Sequence, residues 1–108
     1  MEETNATAAF GALANATRLR ILKRLIAAGP AGLTAGSIAE AVGASPSRAS
    51  FHLSALSDAG LIAAERLARQ IIYRADYAAM GGLIAYLLHD CCGDDPRVRA
   101  CCDAPAGC

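Results

Sequence analysis

Apolar residues recur along this chain first at helical and later at strand spacing, and each change of spacing marks a new short element. From Arg18 to Ala28, Leu19, Leu22, Leu25 and Ile26 fall at helical spacing and leave Arg20, Lys23 and Arg24 for the other face. Asn5 to Ala14 is a weaker, alanine-rich helix candidate, and Asn15 or Thr17 is placed to cap the helix that follows. Gly29-Pro30-Ala31-Gly32 ends that helix. A shorter helix over Ala35 to Val42 would bury Ile38, Ala39 and Val42 and stop at Gly43, which tolerates the left-handed backbone of a tight exit. The next begins at once, with Ser45 as N-cap and Pro46 at the first helical position, where a missing N–H costs no bond. Its apolar stripe is Ala49, Leu53 and Leu56, ending at Ala59-Gly60, and Ser47, Arg48, Ser50, Phe51 and Ser54 face outward.

Strand spacing then takes over. Leu61 to Leu67 and Gln70 to Arg74 are short and β-prone, so they predict a hairpin with Arg66 and Arg69 near its tip. Asp76 caps a last helix from about Tyr77, whose apolar positions are Met80, Leu83, Ile84, Leu87, Leu88 and Cys91. Gly81-Gly82 weakens that helix by roughly 1 kcal/mol per glycine but lets a partner helix come close. Two short helices about a tight turn followed by a hairpin describe a winged helix-turn-helix. The expected fold is mainly α, with about five helices and a two-stranded wing. Residues 1–92 form the DNA-binding and dimerisation domain, and residues 93–108 a cysteine-rich tail.

With 108 residues the chain makes one small domain that dimerisation would stabilise. No apolar run is long enough to span a membrane, and Met1-Glu2-Glu3-Thr4-Asn5 does not open a signal peptide. A reducing cytoplasm is therefore expected, with disulfides disfavoured and thiols free to bind. The formal net charge of zero conceals a division. Between Thr4 and His89 the cations Arg18, Arg20, Lys23, Arg24, Arg48, Arg66, Arg69 and Arg74 outnumber Glu40, Asp58, Glu65 and Asp76, whereas Glu2, Glu3, Asp90, Asp94, Asp95 and Asp103 sit at the two ends. Such a body suits a nucleic-acid partner. An enzyme is not expected, since no nucleotide loop, catalytic carboxylate pair or Cys-His relay is present.

All five cysteines follow Asp90, at Cys91, Cys92, Cys101, Cys102 and Cys108, outside the part able to pack a core. Their clustering points to a thiophilic ligand. Neighbours within a helix diverge by about 100°, so Cys91 and Cys92 can share one centre only if the helix ends there, and Gly93 is placed to end it. Residues 93 to 100 give Cys101 or Cys102 the reach to fold back. Trivalent arsenic or antimony, bound pyramidally by three thiolates, suits such a pair plus one flexible ligand. Four thiolates at Cys91, Cys92, Cys101 and Cys102 could equally hold zinc, cadmium or lead, and oxidation could join the two pairs in a redox sensor. Cys108 is a spare thiol or a further ligand. A metal-buffering protein could use the same tail without binding DNA.

Three stretches, Leu13-Ala14-Asn15-Ala16-Thr17-Arg18-Leu19-Arg20-Ile21-Leu22, Ser45-Pro46-Ser47-Arg48-Ala49-Ser50-Phe51-His52-Leu53-Ser54-Ala55-Leu56 and Ala59-Gly60-Leu61-Ile62, resemble the ArsR/SmtB family of metal- and metalloid-sensing winged-helix repressors. The resemblance implies a homodimer through the first and last helices, bound to double-stranded operator DNA with an inverted repeat. It places Ser47, Arg48, Ser50 and Phe51 toward the DNA, and Arg66, Arg69 and Gln70 on the wing. Serine hydroxyls and arginine forks suit phosphates and base edges. The chain departs from the family pattern that puts cysteines at the start of the helix-turn-helix, since Leu33 to Ala39 contains none. Having only His52 and His89, it also lacks the Asp and His zinc set of the last helix. It is similar instead to the arsenic-responsive members that carry a Cys-Cys pair at the end of the last helix. Binding at Cys91, on the apolar face of the dimer helix, would then reset the spacing of the recognition helices. His52 and His89 are expected to be packing or backbone-bonding residues, with a place behind the thiols as the alternative for His89, and the Arg18 to Arg24 cluster an ordinary polar face, with a phosphate contact as the alternative.

Overall fold

The computed structural model describes residues 1–103, with side chains through Cys101. The expectations for Cys102 as a ligand and for Cys108 lie outside the described side chains. In chain order the elements are α1 (Glu3–Leu13), α2 (Ala16–Ala28), a 3-10 turn (Gly29–Ala31), β1 (Leu33–Thr34), α3 (Ala35–Val42), α4 (Pro46–Asp58), β2 (Ile62–Leu67), β3 (Gln70–Ala75), α5 (Tyr77–Ala85), a π-helical turn (Tyr86–Cys91) and α6 (Pro96–Asp103).

Side-chain caps set the starts of four helices. Asn15 accepts from the Arg18 N–H, Thr34 from Ser37, Ser45 from Arg48 and Asp76 from Ala79. Each satisfies an otherwise orphaned donor and stabilises its helix by about 1 kcal/mol. The choice between Asn15 and Thr17 thus falls to Asn15, and α2 starts a residue later, at Ala16. Gly43 exits α3 with φ 66°, in the left-handed region, and turns the chain into α4.

The core gathers Ile21, Leu25, Ile38, Leu53, Leu56 and Leu61, the largest fully buried side chains. Each contributes about 2 kcal/mol from its burial. Ala6, Ala9 and Ala12 of α1 lie against this cluster at a spacing of three, where small side chains let the helix approach closely. The expected stripe of α2 needs correction. Ile21, Leu22 and Leu25 are buried, whereas Leu19 and Ile26 are 46% and 43% exposed, because the core-facing set follows the i, i+1, i+4 arc set by Ile21.

The sheet has three strands rather than two, in the order β1-β3-β2. Leu33 and Thr34 pair antiparallel with Tyr73 and Ile72, so the entrance to α3 is stitched to the root of the wing. Arg74 reinforces this join by donating from Nε to the Pro30 carbonyl at 2.7 Å and from its terminal nitrogen to Glu65 at 2.8 Å. Gly32 allows it, because a Cβ there would meet the Tyr73 carbonyl oxygen at 2.5 Å.

The end of the chain also differs from expectation. Regular α geometry stops at Ala85, and a π turn carries the chain to Cys91, with the Cys92 N–H bonded to the Leu87 carbonyl. Gly93 and Asp94 turn with φ 57° and 60°, and α6 follows where an irregular segment was expected. Asp95 starts it by accepting from the Arg97 N–H at 2.8 Å. No helix among the described residues is long and apolar enough to cross a membrane.

Candidate nucleic-acid interface and thiol site

The N-terminal half of α4 presents Ser47, Arg48, Ser50 and Phe51 to solvent, while Ala49, Leu53 and Leu56 anchor its other side in the core. A helix held this way offers one polar face, and Phe51 stands out from it with 65% of its surface exposed. Arg66, Arg69 and Gln70 are exposed near the wing tip, where Leu67 pairs with Gln70 across the two-residue turn Ala68-Arg69. Ala68 takes φ 55° there. The sequence-predicted DNA-facing residues therefore lie on exposed parts of two elements.

Phe51 is flanked by side chains of α2 and of its own helix. The Arg18 guanidinium from α2 sits 5.6 Å from its ring centroid, and the His52 ring meets it edge-on at 5.7 Å. Arg18 also donates from Nε to Nδ1 of His52 at 3.1 Å. Burial, then the charges of Arg18 and Arg48, hold His52 below its usual pKa of 6.5, so it is a neutral acceptor joining two helices. Beside these residues lies a cavity of about 500 Å³ lined by Asn15, Thr17, Ser47, Arg48, Phe51 and His52. Sequence reasoning treated the start of α2 as an ordinary polar face, with a phosphate contact as the alternative, and missed this junction. Its signal was the unbroken Arg18, Arg20, Lys23, Arg24 series without an acid in the helix.

At the C-terminal end of the π turn, Cys91 is exposed and Cys92 half-buried, both as free thiols. The apolar face belongs to Cys92, not Cys91: Cys92 lines a cavity of about 430 Å³ with Ile84, Leu87, Leu88 and Val98. The π turn explains the shift, because its wider turn stacks Cys92 over Leu87. The Asp94 carboxylate accepts from Arg99 at 3.0 Å and pairs with Nδ1 of His89, a clasp between α6 and the π turn. These bonds hold the Asp94 carboxyl below the usual carboxylate range, the His89 bond first. His89 thus partners Asp94. Cys101 is disulfide-bonded, contrary to the expectation of free thiols throughout. Among the described residues, no group of three His, Cys, Asp or Glu side chains is positioned to hold a metal ion.

Acidic groups collect at this end. Burial first, then Cys91, Glu3 and Asp90, push the Tyr86 phenol up.

Residues 13–65 match a family described as a helix-turn-helix domain. The chain is 36% identical over 87 residues to the HTH-type transcriptional regulator YgaV of Escherichia coli (strain K12), covering 81% of this chain and 86% of that one. Among solved structures it is similar to an ArsR-like transcriptional regulator from Rhodococcus sp. RHA1, with 31% identity, a TM-score of 0.73, and coverage of 90% and 89% of the two chains. It is also similar to the homodimeric winged helix-turn-helix DNA-binding domain of Mb0332 from Mycobacterium bovis, a possible ArsR-family regulator, with 30% identity, a TM-score of 0.66, and coverage of 80% and 84%.

Proposed function

The chain belongs to the ArsR family of winged helix-turn-helix, DNA-binding transcriptional regulators, and from that premise we propose that it is a homodimeric repressor released from its operator by trivalent arsenic or antimony. Cys91 and Cys92 supply two thiolates, and Cys101 or Cys102 the third once the tail is reduced. The observation that carries this reading is the placement of two adjacent free thiols where α geometry has already given way. There the backbone can turn both sulfurs to one pyramidal centre. Ser47, Arg48, Ser50 and Phe51 enter the major groove, with Arg66, Arg69 and Gln70 on the flanking backbone.

Tyr77, Ile84 and Leu87 are 50%, 50% and 40% exposed along α5 and the π turn, an apolar surface that supports pairing of two copies through α1 and the helix that starts at Tyr77, the last one expected from the sequence. A ligand that reorders the helix end would disturb that pairing and the spacing of the two α4 helices. A hundredfold loss of DNA affinity needs only about 2.7 kcal/mol of coupling.

A second reading, thiol-redox control of the same repressor, is favoured by the disulfide at Cys101. Fluorescence anisotropy on a duplex selected by the reduced protein separates the readings at fixed salt. Release by arsenite and antimonite at near-stoichiometric amounts, lost in Cys91→Ser and Cys92→Ser, is the expected result. Release by cadmium, lead or zinc alone would make it a divalent-metal sensor. Release by a mild oxidant alone would make it a redox sensor. Failure to bind any duplex would sink the repressor reading and leave a metal-buffering protein.

A further inference from the structure

We propose that the cavity between the start of α2 and the face of α4 seats a phosphate of the DNA backbone, making α2 a third DNA-contacting element beside the recognition helix and the wing. The inference rests on the DNA-binding reading and adds a site to it. Its ligand is an anionic phosphodiester.

The argument begins from the pairing of charges. Arg74, Arg97 and Arg99 each meet a carboxylate. Among the described residues, Arg18, Arg20, Lys23, Arg24, Arg48, Arg66 and Arg69 meet none; the last two lie on the wing, and the other five on α2 or the first turn of α4. Helix α2 contains no acid at all. Five uncompensated cations on adjoining surfaces repel one another, and an anion placed between them relieves that repulsion.

Neutral partners hold two of these cations in place. Arg18 is fixed by the His52 nitrogen and the Phe51 ring, neither of which cancels its charge. Arg20 reaches back to the Thr17 hydroxyl at 3.4 Å. Thr17, Ser47 and Arg48 are among the residues that line the cavity, and hydroxyl and guanidinium groups are donors that the oxygen atoms of a phosphate accept from. At about 500 Å³ and open to solvent, it admits a backbone phosphate without rearrangement. It also adjoins Ser47, Arg48 and Phe51, so a duplex whose groove receives α4 passes its sugar-phosphate edge over the mouth. Arg20, Lys23 and Arg24 continue the positive surface along α2, beside a smaller cavity that they line with Ala41 and Val42.

The test uses the full reduced chain and a duplex it selects from a random library, with a scrambled duplex as control. Arg18→Gln and Arg20→Gln should each weaken both duplexes roughly tenfold at low salt. Each should also flatten the dependence of log affinity on log salt by about one phosphate, with base preference unchanged. Replacing single linkages by neutral methylphosphonates should locate one sensitive phosphate per half-site that becomes indifferent in Arg18→Gln. The side chain of Arg20 hydrogen-bonds Thr17, which lines the cavity, and takes no part in the bond between Arg18 and His52, so Arg20→Gln reports the loss even if Arg18→Gln disturbs that junction. Wild-type affinity and salt slope in Arg20→Gln, with no linkage silenced in Arg18→Gln, would overturn the inference while Arg48→Ala still abolished binding. A wild-type chain that bound neither duplex would overturn the DNA-binding reading itself.

Discussion

Arg18 donates its Nε–H to Nδ1 of His52 across 3.1 Å, joining helices whose residues lie 34 positions apart in the chain. The accepting nitrogen must be unprotonated, so the bond exists only with neutral His52. Burial, then Arg18 and Arg48, depress the folded pKa below 6.5, and the unfolded chain therefore takes up the proton more readily. Stability from this source is complete above about pH 6.5 and is lost as pH falls through the folded value. Thermal melting between about pH 7 and pH 5 should show a steeper decline for the wild type than for His52→Gln. Parallel declines would refute the linkage.

Ala68 occupies φ 55° at the wing tip, a conformation that crowds its Cβ against the backbone. Ala68→Gly should stabilise the protein by about 0.5 to 1 kcal/mol. Denaturant unfolding measures it, and a loss of stability would show that the turn carries no strain.

Gly32 is the opposite case. Its φ of 69° combines with a Cβ position only 2.5 Å from the Tyr73 carbonyl oxygen and 2.8 Å from Ile72. Gly32→Ala must push β3 away or flip the backbone, and should cost about 3 kcal/mol. Because β3 roots the wing, a well-folded variant of wild-type stability would contradict the close approach.

Asp94 clasps α6 to the π turn through His89 and Arg99. All three groups are about half exposed, so the clasp adds little to global stability. It orders a local segment instead. Asp94→Ala should leave the melting midpoint almost unchanged and speed tryptic cleavage after Arg97 and Arg99 several-fold. Unchanged cleavage would mean that α6 is held by its apolar contacts alone.

Helix boundaries were legible in the sequence wherever a cap residue preceded the apolar pattern. Asn15, Thr34, Ser45 and Asp76 each act locally, through a hydroxyl, amide or carboxylate three residues from the N–H it satisfies. The third strand was not legible, because Leu33 and Thr34 pair only with residues some forty positions later and show no alternation of their own. Nor was the π turn, whose extra residue leaves an apolar run looking helical while moving the inward position from Cys91 to Cys92. The DNA-facing serines and arginine could be placed from the stripe of Ala49, Leu53 and Leu56 behind them. The Arg18 contact with His52 and Phe51 joins two helices, and no single-helix pattern reveals such a contact.

Among the described residues the cations of α2 and the first turn of α4 meet no carboxylate, whereas Asp94 and Asp95 are paired with Arg99 and Arg97, so this formally neutral protein carries its free charge unevenly. A uniform field exerts no net pull on such a molecule, but it does exert a torque. Near a polyanion the protein is turned before it is captured, its cationic side leading. That alignment acts within a Debye length of roughly 10 Å at moderate salt.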